Sequence, residues 1–320
     1  MEADLIPVLI IFGPTASGKT NLLLELFNSR QKAEVISADS MQVYRGMDIG
    51  TAKPSLKERE KLPHHLIDIR DPSQQFNAGD FVRLADTACM EIAQRGKLPV
   101  ISGGTGFYLK NFILGLSEAP PSNTIIREQL KIELKEKGIS LLMDELNACD
   151  PVSAKRIHIN DEYRLLRALE VYRFCGEPLS SFEINSQKKR NYYSFYIIGL
   201  SRTREELYRR INLRCDEMFH NGLAEEVRSL FKEGYTPDDP GLRAIGYREF
   251  FIKDDETDKW RLSADIDGVK ALIAQNSRRY AKRQITFFSG IPGVRWIEAD
   301  GNETMNQIRD ILNNKSGISA

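Results

Sequence analysis

The segment Gly13-Pro14-Thr15-Ala16-Ser17-Gly18-Lys19-Thr20 matches G-x-x-x-x-G-K-[ST] at every fixed position. Its glycines let the backbone turn until successive N–H groups face one anion, and the helix that follows adds its positive N-terminal end. Lys19 supplies a mobile point charge to a phosphate chain, and the Thr20 hydroxyl is placed to ligate Mg²⁺. The ligand expected here is a phosphate ester. An NTPase or kinase built on such a loop usually adds a second apolar strand ending in aspartate, which holds the metal. The run 98–101 ends instead in Ser102-Gly103-Gly104. The nearest acid in a comparable place is Asp39, at the end of the run 34–38. Two roles are open to it: pointing into a ligand crevice from a strand beside the P-loop strand, or capping the turn that follows.

A polyphosphate also needs cations that close over it. Arg278, Arg279, Lys282 and Arg283 form one basic run, and Arg209, Arg210 and Arg214 another, with Arg210 and Arg214 at i, i+4 on one helix face. For any single member, a solvated helix face is the plainer role. Lys155, Arg156, Arg164, Arg167 and Arg173 gather in a third region, thinly offset by Asp161, Glu162 and Glu170. That pattern fits, weakly, a lobe touching a nucleic-acid backbone. None of the four histidines has metal-ligand spacing with another. The four cysteines form no C-x-x-C pair, which favours reduced thiols over a zinc site or disulfides.

The elements that must position these groups alternate in type. Residues 5–12 read as a short strand apolar on both faces, and a helical pattern follows from Lys19. Further strands are expected at 34–37, 65–69, 98–101, 192–200 and 294–297. Helices are expected at 78–95, 204–219, 224–233, around 242–251, at 267–288 and at 303–313. Between Pro120-Pro121 and residue 190 only helical patterns occur, at 127–136, 139–148 and 161–174. The fold class is α/β: a P-loop NTPase-like parallel sheet core with an all-helical insertion lobe. The expected division is 1–120 and 191–320 for the core, and 121–190 for the insertion.

The balance of 45 basic and 45 acidic residues gives no global nucleic-acid signal. No apolar run reaches the roughly 18 residues of a membrane span. The run 5–12 is preceded by acids and leads into the P-loop, so it reads as a strand rather than a signal peptide. A cytoplasmic protein is expected.

Several longer segments are recognisable as a series. The P-loop is followed by Ile36-Ser37-Ala38-Asp39-Ser40-Met41-Gln42-Val43-Tyr44-Arg45-Gly46-Met47-Asp48-Ile49-Gly50-Thr51-Ala52-Lys53-Pro54, then by Pro63-His64-His65-Leu66-Ile67-Asp68 and Gly103-Gly104-Thr105-Gly106. Asn160-Asp161-Glu162-Tyr163-Arg164, Arg167-Ala168-Leu169-Glu170-Val171-Tyr172, Gly246-Tyr247-Arg248 and Tyr280-Ala281-Lys282-Arg283-Gln284-Ile285-Thr286 complete it. The series, in order from about residue 8 to 288, closely resembles the bacterial tRNA dimethylallyltransferase (tRNA isopentenyl transferase) family.

The resemblance implies that dimethylallyl diphosphate donates its prenyl group to N6 of the adenosine at tRNA position 37, releasing diphosphate. It implies Asp39 as the group that accepts the amine proton, and Lys19, Thr20 with Mg²⁺, and Arg214 as stabilisers of the leaving diphosphate. It places Asp39, Ser40, Met41 and Gln42 at the flipped base, and Thr105 and Arg127 on neighbouring nucleotides. Tyr163, Arg164, Leu165, Leu166 and Arg167 from the insertion, with Arg243, Ala244, Ile245, Gly246, Tyr247 and Arg248, complete the implied surface for the anticodon stem-loop. A monomer suffices for such binding. Ile159 stands where a proline often precedes Asn-Asp, and Phe76-Asn77-Ala78 replaces a commoner Tyr-Ser; neither touches the implied chemistry. No Cys/His zinc element follows the core, unlike the eukaryotic enzymes. The rival readings are an isopentenyltransferase acting on free adenine nucleotide, a P-loop small-molecule kinase, and a nucleotide-regulated RNA-binding protein.

Overall fold

The computed structural model describes residues 5–27, 32–185, 190–299 and 301–313. The chain divides into two compact units, residues 1–110 with 191–320 and residues 111–190.

The first unit is built on β1 (Ile6–Phe12), whose residues Val8 through Phe12 have no exposed surface. A strand without a polar face must be covered on both sides and lie inside a sheet. In the order β3-β2-β4-β1-β5-β8, it is flanked by β4 (Leu98–Gly103) and β5 (Tyr193–Ser201). β2 (Ala33–Ser37) and the short β3 (His64–His65) lie beyond β4, and β8 (Arg295–Glu298) lies beyond β5. All these pairings are parallel. Phe12 is level with Gly103, and Ser37 with Ser102, so β1, β2 and β4 release their chains at one edge of the sheet.

Helices cover both faces. Leu22, Leu23 and Leu26 of α1 (Lys19–Phe27) share a core with Leu9, Ile11, Val100 and, from α13 (Gly301–Asn313), Ile308 and Leu312. The short α2 (Leu56–Lys61) carries a Ser55–Glu58 capping box. In α3 (Ala78–Gln94), Phe81, Val82, Ala85, Cys89 and Ile92 recur at helical spacing and are buried. α4 (Gly106–Leu114) follows β4.

The second unit contains α5 (Thr124–Lys137), α6 (Ile139–Cys149), α7 (Pro151–Arg156), α8 (Glu162–Cys175) and α9 (Leu179–Asn185). Its core gathers Leu130, Leu142, Leu146, Leu165, Leu166 and Leu169.

The chain then returns through β5 to α10 (Arg204–His220) and α11 (Leu223–Lys232). A hairpin of β6 (Phe251–Lys253) and β7 (Trp260–Leu262) precedes α12 (Ile266–Phe288), and the Phe288 ring packs 4.6 Å from that of Phe12.

Two expected elements differ. The stretch 242–251 is not one helix but two 3₁₀ turns, Gly241–Arg243 and Arg248–Phe250, either side of Gly246 at φ 101°. That left-handed residue stops helical propagation. The strand expected at 65–69 ends at His65, because Leu66 and Asp68 also take positive φ. The amides of Ile69 and Arg70 turn to the Val43 carbonyl instead. Helices α2, α4, α7 and α9 and the β6–β7 hairpin are additions to the sequence reading, all too short for periodicity to mark.

Candidate active site at the carboxyl end of the sheet

The P-loop leaves β1 with Ala16 at φ 65° and Gly18 at φ 98°. These left-handed positions turn consecutive peptide units of the loop. The Ala16 and Ser17 carbonyls accept hydrogen bonds from Arg210 Nε (2.8 Å) and Arg202 Nε (3.0 Å). Lys19 opens α1, and its Nζ donates to the carbonyls of Gly13 (2.9 Å) and Pro14 (3.0 Å). Burial pushes the Lys19 ammonium down to about 8, Arg214 adds to the effect, and Asp39 partly offsets it. Thr20, one residue on, has a side-chain hydroxyl with no hydrogen-bond partner among the described residues.

Asp39 fills both of its open roles with different oxygens. Oδ1 accepts the amides of Met41 (2.9 Å) and Gln42 (3.3 Å), which caps the turn. Oδ2 has no hydrogen-bond partner among the described residues, and the side chain lines the cavity in front of the P-loop. The expected adjacency to the P-loop strand is corrected: β4 lies between β2 and β1. Asp39 nevertheless shares the crevice because β4 ends in glycine. A Cβ on Gly103 would stand 2.1 Å from the Ala38 carbonyl oxygen, so no side chain fits between the two loops.

Hydrogen bonds join these loops. The Ser40 amide donates to Thr105 Oγ1 (2.9 Å), and the Thr105 amide to the Ala38 carbonyl (3.1 Å). Gln284 of α12, 5% exposed, accepts the Thr15 amide on Oε1 (2.9 Å) and donates from Nε2 to the Gly104 carbonyl (2.7 Å). One turn earlier, Tyr280 faces the side chains of Thr105 and Gln284, which favour its ionised form. Burial, then the Asp39 charge, pushes its phenol up to about 12, so it stays a neutral donor.

Two cavities meet here. One of about 550 Å³ is lined by Lys19, Thr20, Arg210 and Arg214. The other, about 280 Å³, has an apolar wall of Ile211, Cys215, Met218 and Ile273. Thr15, Asp39, Thr51, Arg214 and Tyr280 line both. Arg214 has no hydrogen bond or ion pair among the described residues. Burial lowers its affinity for a proton, while Asp39 and Glu217 work the other way.

The remaining sequence-derived residues separate into groups. Ser40, Met41, Arg243, Ala244, Ile245, Gly246 and Arg248 line the smaller cavity, as does Arg283 from the α12 basic run. Tyr247 does not face a ligand: it is fully buried, and its hydroxyl donates to Glu226 Oε1 at 2.6 Å. Glu226 also accepts the amides of Asp48 (2.9 Å), Ile49 (2.8 Å) and Gly50 (3.2 Å), holding that loop against Tyr247. Gln42 lines the larger cavity, accepting from Ser37 and donating to the Thr51 and Ala52 carbonyls.

In the helical unit, Leu165 and Leu166 are core residues, so their side chains offer no surface to a nucleic acid. Tyr163 is 70% exposed, with Arg127 4.7 Å over its ring. The thin acidic offset expected there is corrected by the fold, because α5 and α6 bring further carboxylates. Arg173 pairs with Glu133 (2.7 Å) and Glu145 (2.6 Å), and Arg127 (2.9 Å) and Arg167 (3.2 Å) pair with buried Glu170.

Sequence reasoning missed Arg202, Glu226, Tyr280 and Gln284 as site residues. Tyr280 and Gln284 stand i, i+4 within a quoted motif, which marks a shared helix face; Glu226 carries no local signal.

The arrangement brings together an anion loop, a carboxylate with one free oxygen, and a cation without a partner. Comparisons with known proteins point the same way. The IPP transferase family model matches residues 42–290. A tRNA dimethylallyltransferase of Geobacter sulfurreducens is 43% identical over 295 residues, 92% of this chain and 93% of that one. Its counterpart in Geobacillus kaustophilus is 43% identical over 306 residues, 95% and 94% of the two chains. The solved full-length tRNA isopentenylpyrophosphate transferase of Bacillus halodurans is 38% identical, with a TM-score of 0.68 over 97% of this chain and 96% of that one. A eukaryotic dimethylallyltransferase solved acting on tRNA is 28% identical, with a TM-score of 0.76 over 98% of this chain and 82% of that one.

Proposed function

The chain belongs to the IPP transferase family, and from that premise we infer that it is a prenyltransferase of tRNA, moving the dimethylallyl group of dimethylallyl diphosphate to N6 of adenosine 37. The observation that carries this reading is the junction of the two cavities, where Asp39 and Arg214 face the P-loop from opposite elements. The larger, cationic cavity suits a diphosphate. The smaller one, with its apolar wall, suits the prenyl chain and the base that receives it.

An adenine amine is a poor nucleophile because its lone pair is delocalised into the ring. Asp39 Oδ2 accepts a hydrogen bond from N6 and takes its proton as the N6–carbon bond forms. The two amides on Oδ1 fix the carboxylate's orientation. The allylic C–O bond breaks, and its electron pair leaves on the diphosphate. Lys19, the loop amides and Arg214 stabilise that growing charge. Adenosine 37 must leave its stack to reach the site, at a cost of about a few kcal/mol. Ser40, Arg243 and Arg248 give the smaller cavity a basic and polar lining.

A divalent ion fits this donor set. Thr20 offers a free hydroxyl at the first turn of α1, in the cavity that suits the diphosphate, while no cluster of three His, Cys, Asp or Glu stands ready among the described residues. Such a site holds Mg²⁺ only together with phosphate oxygens, as that ion usually binds. Held there by the Thr20 hydroxyl, Mg²⁺ would supply positive charge to the departing diphosphate. We further propose that the protein acts as a monomer in the cytoplasm.

The test is incubation with labelled dimethylallyl diphosphate and either unmodified tRNA or AMP. Label entering tRNA is the expected result. Label in AMP alone would point to the free-nucleotide enzyme, and label in neither to a kinase or a binding protein.

A further inference from the structure

Among the cations of the larger cavity that have no part in the reaction above, Arg210 stands nearest to Arg214 in its placement. Arg210 lies one turn before Arg214 on α10, so both side chains leave the same face. Its Nε donates to the Ala16 carbonyl, which uses one of the guanidinium's five N–H groups. The terminal nitrogens are little engaged. Glu206 stands 3.9 Å from one of them. The other lies 3.7 Å from the place where a Cβ on Gly18 would stand, directly over the loop.

Here the fork is indexed to the P-loop by one edge and lines the cavity with Lys19, Thr20 and Arg214. Arg202 is the useful contrast. It makes the parallel bond to the Ser17 carbonyl and its Nη2 comes as near the Gly18 position, at 3.5 Å, but it is not among the residues lining that cavity.

We propose that Arg210 is a diphosphate-binding residue, its free N–H groups donating to the oxygens of the donor's diphosphate and of the released product. This rests on reading the larger cavity as the donor site. Because the Ala16 carbonyl holds it in place before any ligand arrives, Arg210 grips ground state and transition state alike. Such uniform binding appears in KM rather than in kcat. Arg214, with no hydrogen bond or ion pair among the described residues, can follow the charge as it develops.

The experiment is calorimetric titration of the full chain with inorganic diphosphate and Mg²⁺, comparing wild type with Arg210→Lys, Arg210→Gln and Arg210→Ala. Arg210→Gln and Arg210→Ala should weaken binding roughly tenfold or more, as expected for losing hydrogen bonds to a charged group. KM for the donor should rise in step, with the single-turnover rate at saturating donor little changed. Arg210→Lys keeps the charge and should retain most of the affinity. Affinity for an anticodon stem-loop alone should stay as in wild type. Diphosphate affinity unchanged in Arg210→Gln would make Arg210 a brace and overturn the inference. So would an equal loss in Arg210→Lys accompanied by a lowered unfolding temperature. Wild-type protein that ignores diphosphate would instead overturn the donor-site reading, and this inference with it.

Discussion

The arginines of α8 and the cations around the P-loop are arranged on opposite principles. On α8, Arg164, Arg167 and Arg173 face Asp161, Glu170, and the pair Glu133 and Glu145. At the P-loop, Lys19 donates to two carbonyls and a serine hydroxyl, Arg210 has its nearest acid at 3.9 Å, and Arg214 has no hydrogen bond or ion pair among the described residues. A carboxylate neutralises a cation and fixes it, which builds architecture. A carbonyl only positions it, and the charge stays available. Half-buried cations facing carbonyls or empty space are what a polyanion site looks like before the polyanion arrives.

The sharpest way to break this contrast is to remove one cation of each kind. Arg214→Ala should lower the single-turnover rate by on the order of 10²–10³-fold, with the unfolding temperature unchanged or raised. Asp39→Ala should cut the same step on the order of 10²–10⁴-fold while tRNA binding persists. Arg173→Ala should do the reverse, keeping the chemistry and losing stability. If Arg214→Ala unfolded as readily as Arg173→Ala, the two classes of arginine would not differ.

A smaller effect belongs to Glu170, which is 1% exposed. It accepts from Ser122 Oγ (2.7 Å) and the Asn123 amide (2.5 Å) as well as from Arg127. Glu170→Ala leaves two arginines without their carboxylate and should cost about 3–5 kcal/mol by denaturant unfolding. A cost within experimental error would mean that solvent already screens the cluster.

The mildest test is pH. Lys19 has its folded value pushed down from 10.5 to about 8 by burial and by Arg214. The free enzyme therefore loses that proton as pH rises through about 8, and kcat/KM for the donor should fall there. A bound diphosphate favours the ammonium, so the corresponding limb in kcat should lie at higher pH. The sign for stability is opposite. The folded state binds this proton less tightly than the unfolded chain, so the destabilisation is full below about 8 and is relieved between 8 and 10.5. A kcat/KM profile flat well beyond 8 would show that the charge of Lys19 is not required.

Much of the site was legible because its pieces are local. The P-loop is eight consecutive residues whose function follows from backbone geometry and one helix end. The strand and helix periods placed β1, β2, β4 and the long helices close to where they lie. Tyr247 was misplaced for a physical reason: position within a motif says nothing about which way a side chain turns. Here Gly246 and the Glu226 carboxylate, on an element far along the chain, turn it inward. Leu165 and Leu166 show the same limit, since a helix that carries a binding segment must also bury a face.

The sequence by itself determined the phosphate loop, the alternating α/β class, the helical insertion and, through the long motif series, the family. Each is a property of neighbouring residues or of a repeating period. The tertiary structure alone decided the strand order that sets β4 between Asp39 and the P-loop, with Gly103 keeping the crevice open. It alone decided that Arg127 and Arg173 meet carboxylates while Arg210 meets the Ala16 carbonyl. Those outcomes depend on groups tens to hundreds of residues apart in the chain. No local pattern encodes the distance between such groups, and that distance separates a cation that builds the fold from one that waits for a ligand.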